Sequence, residues 1–139
     1  MPIQQSDVLY TAVATAESGR DGRVATDDGK LDVVVNPPKE MGGSGAGTNP
    51  EQLFAAGYSA CFHGALAVVA RQEGADLSGS TVTAKVGIGK NDDGFGLIVE
   101  ISADIPNADE STARALVEKA HQVCPYSKAT RGNITVTLA

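Results

Sequence analysis

Two cysteines, Cys61 and Cys124, are the residues of this chain whose side chains could carry covalent chemistry. A cysteine thiolate can act as a nucleophile, undergo reversible oxidation or bind a metal ion. In a reducing compartment, two cysteines are more often free, catalytic or redox-active than joined in a permanent disulfide. The ordinary alternative is a small apolar side chain, in the core for Cys61 and near a helix end for Cys124. Residue type alone leaves both interpretations open.

Two histidines could assist these thiols or hold a metal ion with them. His63 follows Cys61 by two residues, about 200° around a helix, so the two side chains point to nearly opposite faces. His121 lies one turn before Cys124, where a cation suits the helix dipole, and we interpret it as a helix-end residue. The cysteines are far apart in sequence and form no Cys-x-x-Cys motif. We therefore expect no bound metal and no histidine base for Cys61.

The element that carries Cys61 shows strong helix signals. Asn49 is a typical cap, Pro50 suits the first helical position and Glu51 places an acidic side chain in the first turn. These signals predict a helix from Pro50 to about Glu73. Residues 53–70 are apolar nearly all round, which predicts burial on every side. This length is near the lower limit for a membrane span, but interrupting polar and glycine residues favour a buried core helix.

The rest of the chain reads as strands and one more helix. Alternation predicts strands at 9–15 and 31–35, with a turn at 27–29, and a hairpin of strands 81–90 and 95–105 joined by 91–94. Capping-box spacing from Asn107 to Glu110 opens a second helix that ends at Cys124, before Pro125. A last strand is expected at 133–138. The order indicates one α+β domain over residues 1–139, without repeats or linkers.

Composition excludes several classes of partner. The net charge is −6, and an acidic surface would repel nucleic acid or an anionic membrane. The glycine-rich segment 42–47 is followed by Thr48 rather than the lysine of a phosphate-binding loop. The first residues contain no basic stretch followed by an apolar run, so we expect a cytoplasmic protein.

Longer motifs resemble one family closely. They are Ser-Gly-Arg-Asp-Gly-Arg at 18–23, Gly-Thr-Asn-Pro-Glu-Gln-Leu-Phe at 47–54, Ala-Gly-Tyr-Ser-Ala-Cys-Phe at 56–62, and Val-Cys-Pro-Tyr-Ser at 123–127 with Thr-Arg-Gly-Asn at 130–133. In this order they resemble the bacterial organic hydroperoxide resistance proteins, which belong with the OsmC-like proteins. The resemblance covers nearly the whole chain.

The resemblance implies a fold, a reaction and a site. The fold is α+β and OsmC-like, with antiparallel sheets around a long buried central helix in an intertwined homodimer. The reaction is a thiol-dependent reduction of organic hydroperoxides, with Cys61 as the peroxidatic cysteine and Cys124 as the resolving cysteine. Arg20 then stabilises the thiolate and the peroxide, and Glu51 orients Arg20. No cofactor is bound, and the reductant is a lipoyl dithiol such as dihydrolipoamide on lipoylated proteins.

Elementary chemistry supports these assigned roles. An ordinary thiol is only a few per cent ionised at neutral pH, and burial in an apolar helix raises its pKa further. A guanidinium such as that of Arg20 can offset burial, and a carboxylate such as that of Glu51 can hold it by a bidentate contact. Without the resemblance, Arg20 would be interpreted as a solvated loop charge and Glu51 as a helix-dipole partner. Apolar side chains around Cys61 predict a preference for alkyl or fatty-acid hydroperoxides.

The spacing of Glu51 and Cys61 has a consequence for assembly. Ten residues along one helix correspond to about 15 Å of rise and about 80° of rotation. The two side chains cannot meet within one straight helix. If both serve one site, Glu51 should come from a second subunit, with the two helices antiparallel across a two-fold axis.

Two other functions use the same cysteines. A redox sensor would be oxidised once by peroxide and signal to a partner without rapid turnover. A cysteine hydrolase would need a histidine base close to Cys61, and the sequence offers none at a suitable position. The Cys-Pro-Tyr-Ser motif at 124–127 also resembles a glutaredoxin motif, but it closes a helix near the end of the chain rather than opening one after an N-terminal strand.

Overall fold

The computed structural model describes residues 2–139, which form two compact units divided after Pro50. Each unit contains one three-stranded sheet. The α-helices lie in the second unit, except that the first of them begins at Pro50, and the first unit also has two short 3-10 turns at Gln5–Asp7 and Lys39–Met41. The α+β class is confirmed. The expectation of one domain over residues 1–139 stays a prediction.

The N-terminal unit is an antiparallel sheet of β1 (Ala14–Glu17), β2 (Gly22–Thr26) and β3 (Asp32–Val35), in that order. The predicted turn at 27–29 joins β2 to β3, but the predicted first strand at 9–15 is wrong in its bounds. Ala14 pairs with Thr26, where β2 ends, so the residues before it have no strand to pair with. Leu9 is fully exposed.

The second strand of this sheet was missed because its start looks like a loop. Ser18 and Gly19 both have positive φ, at 62° and 59°, and reverse the chain sharply between β1 and β2. A Cβ atom on Gly22 would lie 2.0 Å from the carbonyl oxygen of Glu17, so only glycine fits where β2 begins. A segment rich in glycine and charge therefore contains both a turn and the start of a strand.

The central helix α1 runs over Pro50–Glu73, as predicted. It is long and apolar enough to cross a membrane by length and composition, a test that the core helix of a soluble protein also passes. Its large side chains are buried against the rest of the second unit. Burial on every side is wrong for the single chain, because a stripe of four residues on one face is exposed: Ala56, Ala60, Gly64 and Val68.

The second sheet contains the predicted hairpin of β4 (Thr81–Asn91) and β5 (Gly94–Asp104), followed in space by β6 (Val136–Leu138). Asn91 pairs with Gly94, so only two residues form the hairpin loop. The last strand is shorter than predicted. It pairs with β5 in parallel, so the sheets are not purely antiparallel.

The second helix, α2, spans Glu110–Val123 and is followed directly by α3 (Pro125–Thr130). Asp109, not Asn107, caps α2 by accepting a hydrogen bond from the Thr112 N–H. The Asn107 side chain instead donates to Asp76 at 3.1 Å. The sequence predicted the end of α2 at Cys124 correctly and missed α3.

The core of the second unit lies between α1, β5 and α2. It is formed by Tyr58, Phe62, Leu66 and Val69 of α1, Val99 and Ile101 of β5, Leu116, Val117 and Ala120 of α2, and Cys124. This core fixes the one helix that carries Cys61 against the one that ends at Cys124.

Candidate active site

The two cysteines meet in the second unit although they are far apart in sequence. Their sulfur atoms lie 3.7 Å apart, and both thiols are free. Cys124 is fully buried and Cys61 is half-buried. A disulfide requires about 2.05 Å between the sulfurs, so a small movement would join them. The interpretation of either cysteine as an isolated apolar side chain does not fit this contact.

Cys124 reaches this position because one helix ends and another begins at it. Its N–H donates to the carbonyl of Ala120 at 2.8 Å and completes the last turn of α2. Pro125 has no N–H to continue that helix, but it suits the first position of a new one. The carbonyl of Cys124 then accepts from the Lys128 N–H at 3.0 Å, which places Cys124 in the corner between α2 and α3.

The surroundings of Cys61 act on its thiol in opposite directions. Burial raises the pKa of Cys61, a backbone hydrogen bond from Tyr126 lowers it, and the neighbouring Cys124 thiol raises it again. The Tyr126 N–H belongs to the first turn of α3, so the corner that positions Cys124 also supplies a donor to Cys61. The net direction is upward. A reactive thiolate at this position needs a further source of positive charge.

The other two predicted site residues lie at element ends. Arg20 is exposed in the turn between β1 and β2 of the N-terminal unit. Glu51 is buried, with 9% of its surface exposed, in the first turn of α1. Glu51 and Cys61 therefore share one helix, as the spacing argument assumed. The roles predicted for Arg20 and Glu51 stay predictions.

The second arginine of the 18–23 motif has a different environment. Arg23 donates to both carboxylate oxygens of Asp32, at 2.7 Å and 2.6 Å, across the β2–β3 pair. The neighbouring Asp21 accepts from the Asn36 amide at 2.8 Å. Arg23 is thus a side chain that joins two strands of the first sheet, and it provides a natural comparison for Arg20.

A buried chain of polar side chains beside the cysteines escaped the sequence interpretation. His121 Nδ1 lies 2.8 Å from Ser127 Oγ, which lies 2.8 Å from Tyr58 Oη, and Tyr58 Oη lies 3.2 Å from Thr130 Oγ1. Tyr58 and Ser127 are fully buried. The sequence indicates His121 as a helix-end residue and Ser127 only as part of a motif. Pro125 at the start of a new helix was the available signal, since it places Ser127 and Thr130 on one face.

His63 has a separate partner in the same unit. Its Nε2 lies 2.9 Å from Ser80 Oγ, in the segment before β4. Within residues 2–139, no three His, Cys, Asp or Glu side chains are grouped in a way that could hold a metal ion.

Comparison with known proteins identifies the family. The sequence model of the OsmC-like proteins matches residues 42–139. The chain is 55% identical over 133 residues to an organic hydroperoxide resistance protein of Xanthomonas axonopodis pv. citri, with 94% of each chain covered. It is 45% identical over 132 residues to the organic hydroperoxide resistance protein OhrB of Bacillus subtilis, with 94% of this chain and 96% of the other covered.

A solved structure agrees in fold as well as in sequence. The crystal structure of an organic hydroperoxide resistance protein from Elizabethkingia anophelis superposes with a TM-score of 0.89 at 54% identity, covering 95% of this chain and 96% of the other. The chain belongs to the organic hydroperoxide resistance branch of the OsmC-like family. The predicted family and the predicted OsmC-like fold are both confirmed.

Three aromatic rings pack against one another on the helices that hold the cysteines. Phe54 and Tyr58 of α1 and Tyr126 of α3 have centroids 5.6 to 6.1 Å apart in edge or tilted arrangements. A Cβ atom on Gly57 would lie 2.7 Å from Tyr126 Oη, so glycine is needed for the ring to approach α1. The OsmC-like match contains Glu51 and both cysteines, whereas Arg20 precedes it.

Proposed function

We propose that this chain is a thiol-dependent peroxidase that protects against organic hydroperoxides, with Cys61 as its reactive residue. The observation that carries the proposal is the 3.7 Å separation of the Cys61 and Cys124 sulfurs in a member of the organic hydroperoxide resistance branch. Two free thiols at this distance can pass between a dithiol and a disulfide with little rearrangement. That cycle is what a peroxidase without a bound cofactor requires.

In the first step, the Cys61 thiolate attacks one oxygen of the peroxide. The O–O bond breaks, sulfur is oxidised to a sulfenic acid, and the other oxygen leaves as an alcohol after it takes up a proton. Burial raises the pKa of Cys61 and opposes formation of the thiolate. Arg20 is the proposed cation that offsets this effect and binds the peroxide oxygen, with Glu51 orienting its guanidinium.

In the second step, the Cys124 thiol attacks the sulfenic sulfur of Cys61. The disulfide forms, and the sulfenic oxygen leaves as water with the thiol proton. This step protects Cys61 from further oxidation. A dithiol then reduces the disulfide by two exchange reactions and is itself oxidised to a cyclic disulfide, and the proposed donor is dihydrolipoamide on lipoylated proteins.

The proposed substrates are alkyl or fatty-acid hydroperoxides. Phe54 is partly buried against the core that contains the cysteine pair, and Tyr126, whose ring packs on Phe54, is partly exposed. Burial of an alkyl chain against such surfaces is favourable, whereas hydrogen peroxide gains nothing from them. The cytoplasmic location stays a prediction.

Two features support a homodimer. Glu51 and Cys61 lie ten positions apart on one helix, which corresponds to about 15 Å of rise. A site that uses both side chains therefore needs Glu51 from a second copy of the chain. The exposed stripe of α1 contains small and apolar side chains that water does not favour. Antiparallel contact between two α1 helices would cover the stripe and form two equivalent sites.

Steady-state reduction of tert-butyl hydroperoxide with dihydrolipoamide tests the proposal directly. We expect the native protein to turn over, Cys61→Ser to lose activity by about a thousandfold or more, and Cys124→Ser to form sulfenic acid but no intramolecular disulfide. Hydrogen peroxide should be the poorer substrate. Native turnover no faster than that of free dithiol would contradict the proposal and favour a sensor that is oxidised once.

A further inference from the structure

Beside the cysteine pair lies a polar latch, formed by His121, Ser127, Tyr58 and Thr130, that the proposed reaction steps do not use. Ser127 is its centre, with His121 Nδ1 and Tyr58 Oη each 2.8 Å from its hydroxyl oxygen. The Thr130 hydroxyl donates to the Ser127 carbonyl at 3.1 Å. Tyr58 and Ser127 are fully buried and Thr130 is 5% exposed. Polar groups buried to this extent are costly unless they are paired, so the latch is a built feature.

The latch ties together the three helices that hold the cysteines. Tyr58 belongs to α1, His121 to α2, and Ser127 and Thr130 to α3. A second tie joins α2 and α3, since Arg131 Nη1 donates to the His121 carbonyl at 3.0 Å.

The latch residues also lie close to the cysteines along the chain. Tyr58 precedes Cys61 by three residues, and residues three apart share one face of a helix. His121 precedes Cys124 by three, and Ser127 follows it by three. Each of these hydrogen-bonding side chains is thus within one helical turn of a thiol.

Disulfide closure makes a geometric demand that α3 cannot meet alone. The sulfurs must approach from 3.7 Å to about 2.05 Å with a defined dihedral angle. A six-residue helix has no stability of its own in water, so its position depends on tertiary contacts. Errors of about 1 Å in the position of reacting groups can cost about a hundredfold in rate.

We propose that the polar latch positions Cys124 for closure of the disulfide with Cys61, with His121 and Ser127 as positioning residues for this step. The inference rests on the proposed function, in which the Cys61 sulfenic acid condenses with the Cys124 thiol and releases water. The latch holds α3 against α1 and so sets the rate of the second step. It has no part in the first step, the attack of Cys61 on peroxide.

The latch does not depend on one protonation state. Because the Thr130 hydroxyl donates to the Ser127 carbonyl, the Tyr58 hydroxyl donates to Thr130, the Ser127 hydroxyl donates to Tyr58, and His121 Nδ1–H donates to Ser127. Burial and the charge of Arg131 lower the pKa of His121, which favours the neutral ring near neutral pH. The neutral tautomer with its proton on Nδ1 and the imidazolium both carry this N–H, so either can donate to Ser127.

Four variants separate positioning from general stability. Ser127→Ala and His121→Ala each remove a latch contact, whereas His121→Asn keeps a hydrogen-bonding atom at the position of Nδ1. Ser80→Ala removes the contact with His63, a matched His–Ser pair of 2.9 Å in the same unit. Stopped-flow and mass spectrometry with one equivalent of tert-butyl hydroperoxide give the rates of sulfenic acid formation and of disulfide closure separately.

We expect closure to slow by about tenfold or more in Ser127→Ala and His121→Ala, and by less than about threefold in His121→Asn and Ser80→Ala. Sulfenic acid formation should change by less than about twofold in all four variants. Equal slowing of closure in Ser127→Ala and Ser80→Ala, or slowing in His121→Asn as large as in His121→Ala, would overturn the inference.

A peroxide-free measurement keeps this inference separate from the proposed function. Oxidised glutathione closes the same disulfide by exchange: one thiol of the pair forms a mixed disulfide and releases glutathione, and the other thiol then displaces the second glutathione. The same order of variants is expected for this intramolecular step. If the native protein is inert to hydroperoxide but this exchange is selectively slower in the latch variants, the proposed peroxidase function is contradicted and the proposed role of the latch is supported. If the native protein turns over hydroperoxide rapidly but exchange and closure are unchanged in the latch variants, the peroxidase function is supported and the role of the latch is contradicted.

Discussion

The two faces of α1 are both apolar, yet they differ in the size of their side chains. The buried face carries Tyr58, Phe62, Leu66 and Val69, which fill the core of the second unit. The exposed stripe carries Ala56, Ala60, Gly64 and Val68, at intervals of four residues. Large side chains fill space within one chain, whereas small ones let a second helix approach closely. Hydropathy alone cannot distinguish these two uses of an apolar helix.

Cys61 lies at the border between these faces, half-buried. Its buried side provides the Cys124 thiol, the Tyr126 N–H and, one turn away, the hydroxyl of Tyr58. These are the groups of the second unit that the proposed disulfide step would use. The cation of the proposed first step is not among them, so the two proposed steps draw on different parts of the molecule.

Truncation of one branched side chain on each face tests the comparison most strongly. Leu66→Ala removes a fully buried side chain and should lower the free energy of unfolding by about 2 to 5 kcal/mol. Val68→Ala, at a residue that is 39% exposed in the single chain, should cost less than about 1 kcal/mol in the monomer and more at concentrations where the proposed dimer covers it. Urea unfolding of both variants, compared at equal m-values, measures the difference. Equal losses would show that the exposed stripe is buried in solution as deeply as the core face.

Much of the fold was predictable because its signals are local. Asn49 and Pro50 mark the start of α1, and the Asp92-Asp93 loop lies between two alternating segments of equal length. The first sheet was harder. Its β2 begins directly after a turn in which a serine and a glycine both have positive φ, and nothing in the sequence shows that Ser18 tolerates this.

The site was predictable in its cysteines and not in their surroundings. The resemblance predicts Cys61 and Cys124 as a pair, and their sulfurs lie 3.7 Å apart in the structure. The latch depends on Tyr58 meeting Ser127, 69 residues later. Ser127 and His121 are common polar residues near a helix end, and only tertiary packing makes them a buried network. Periodicity reports which face is buried, but not which polar atoms meet there.

A single charge on the exposed stripe tests whether a second copy covers it. Ala60→Arg would place two like charges near the two-fold axis of the proposed dimer and should weaken dimerisation by about a hundredfold or more. Native mass spectrometry and light scattering at micromolar concentration would measure this. Ala115→Arg, on the exposed face of α2, is the matched control and should leave assembly unchanged. A native protein that is monomeric, or an Ala60→Arg variant that dimerises as before, contradicts the proposed interface.

The smallest expected effect concerns what offsets the burial of Cys61. Iodoacetamide alkylates only the thiolate form of Cys61. The alkylation rate therefore rises about tenfold per pH unit below the pKa of Cys61 and levels off above that pKa. Loss of a nearby cation raises the pKa, so Arg20→Gln should move the plateau to higher pH and lower the rate near neutrality by about tenfold, with the plateau rate unchanged. Iodoacetamide kinetics in a Cys124→Ser background isolate Cys61. Arg23→Gln, whose guanidinium is held by Asp32, is the matched control, and identical profiles for the two variants would remove Arg20 from the site.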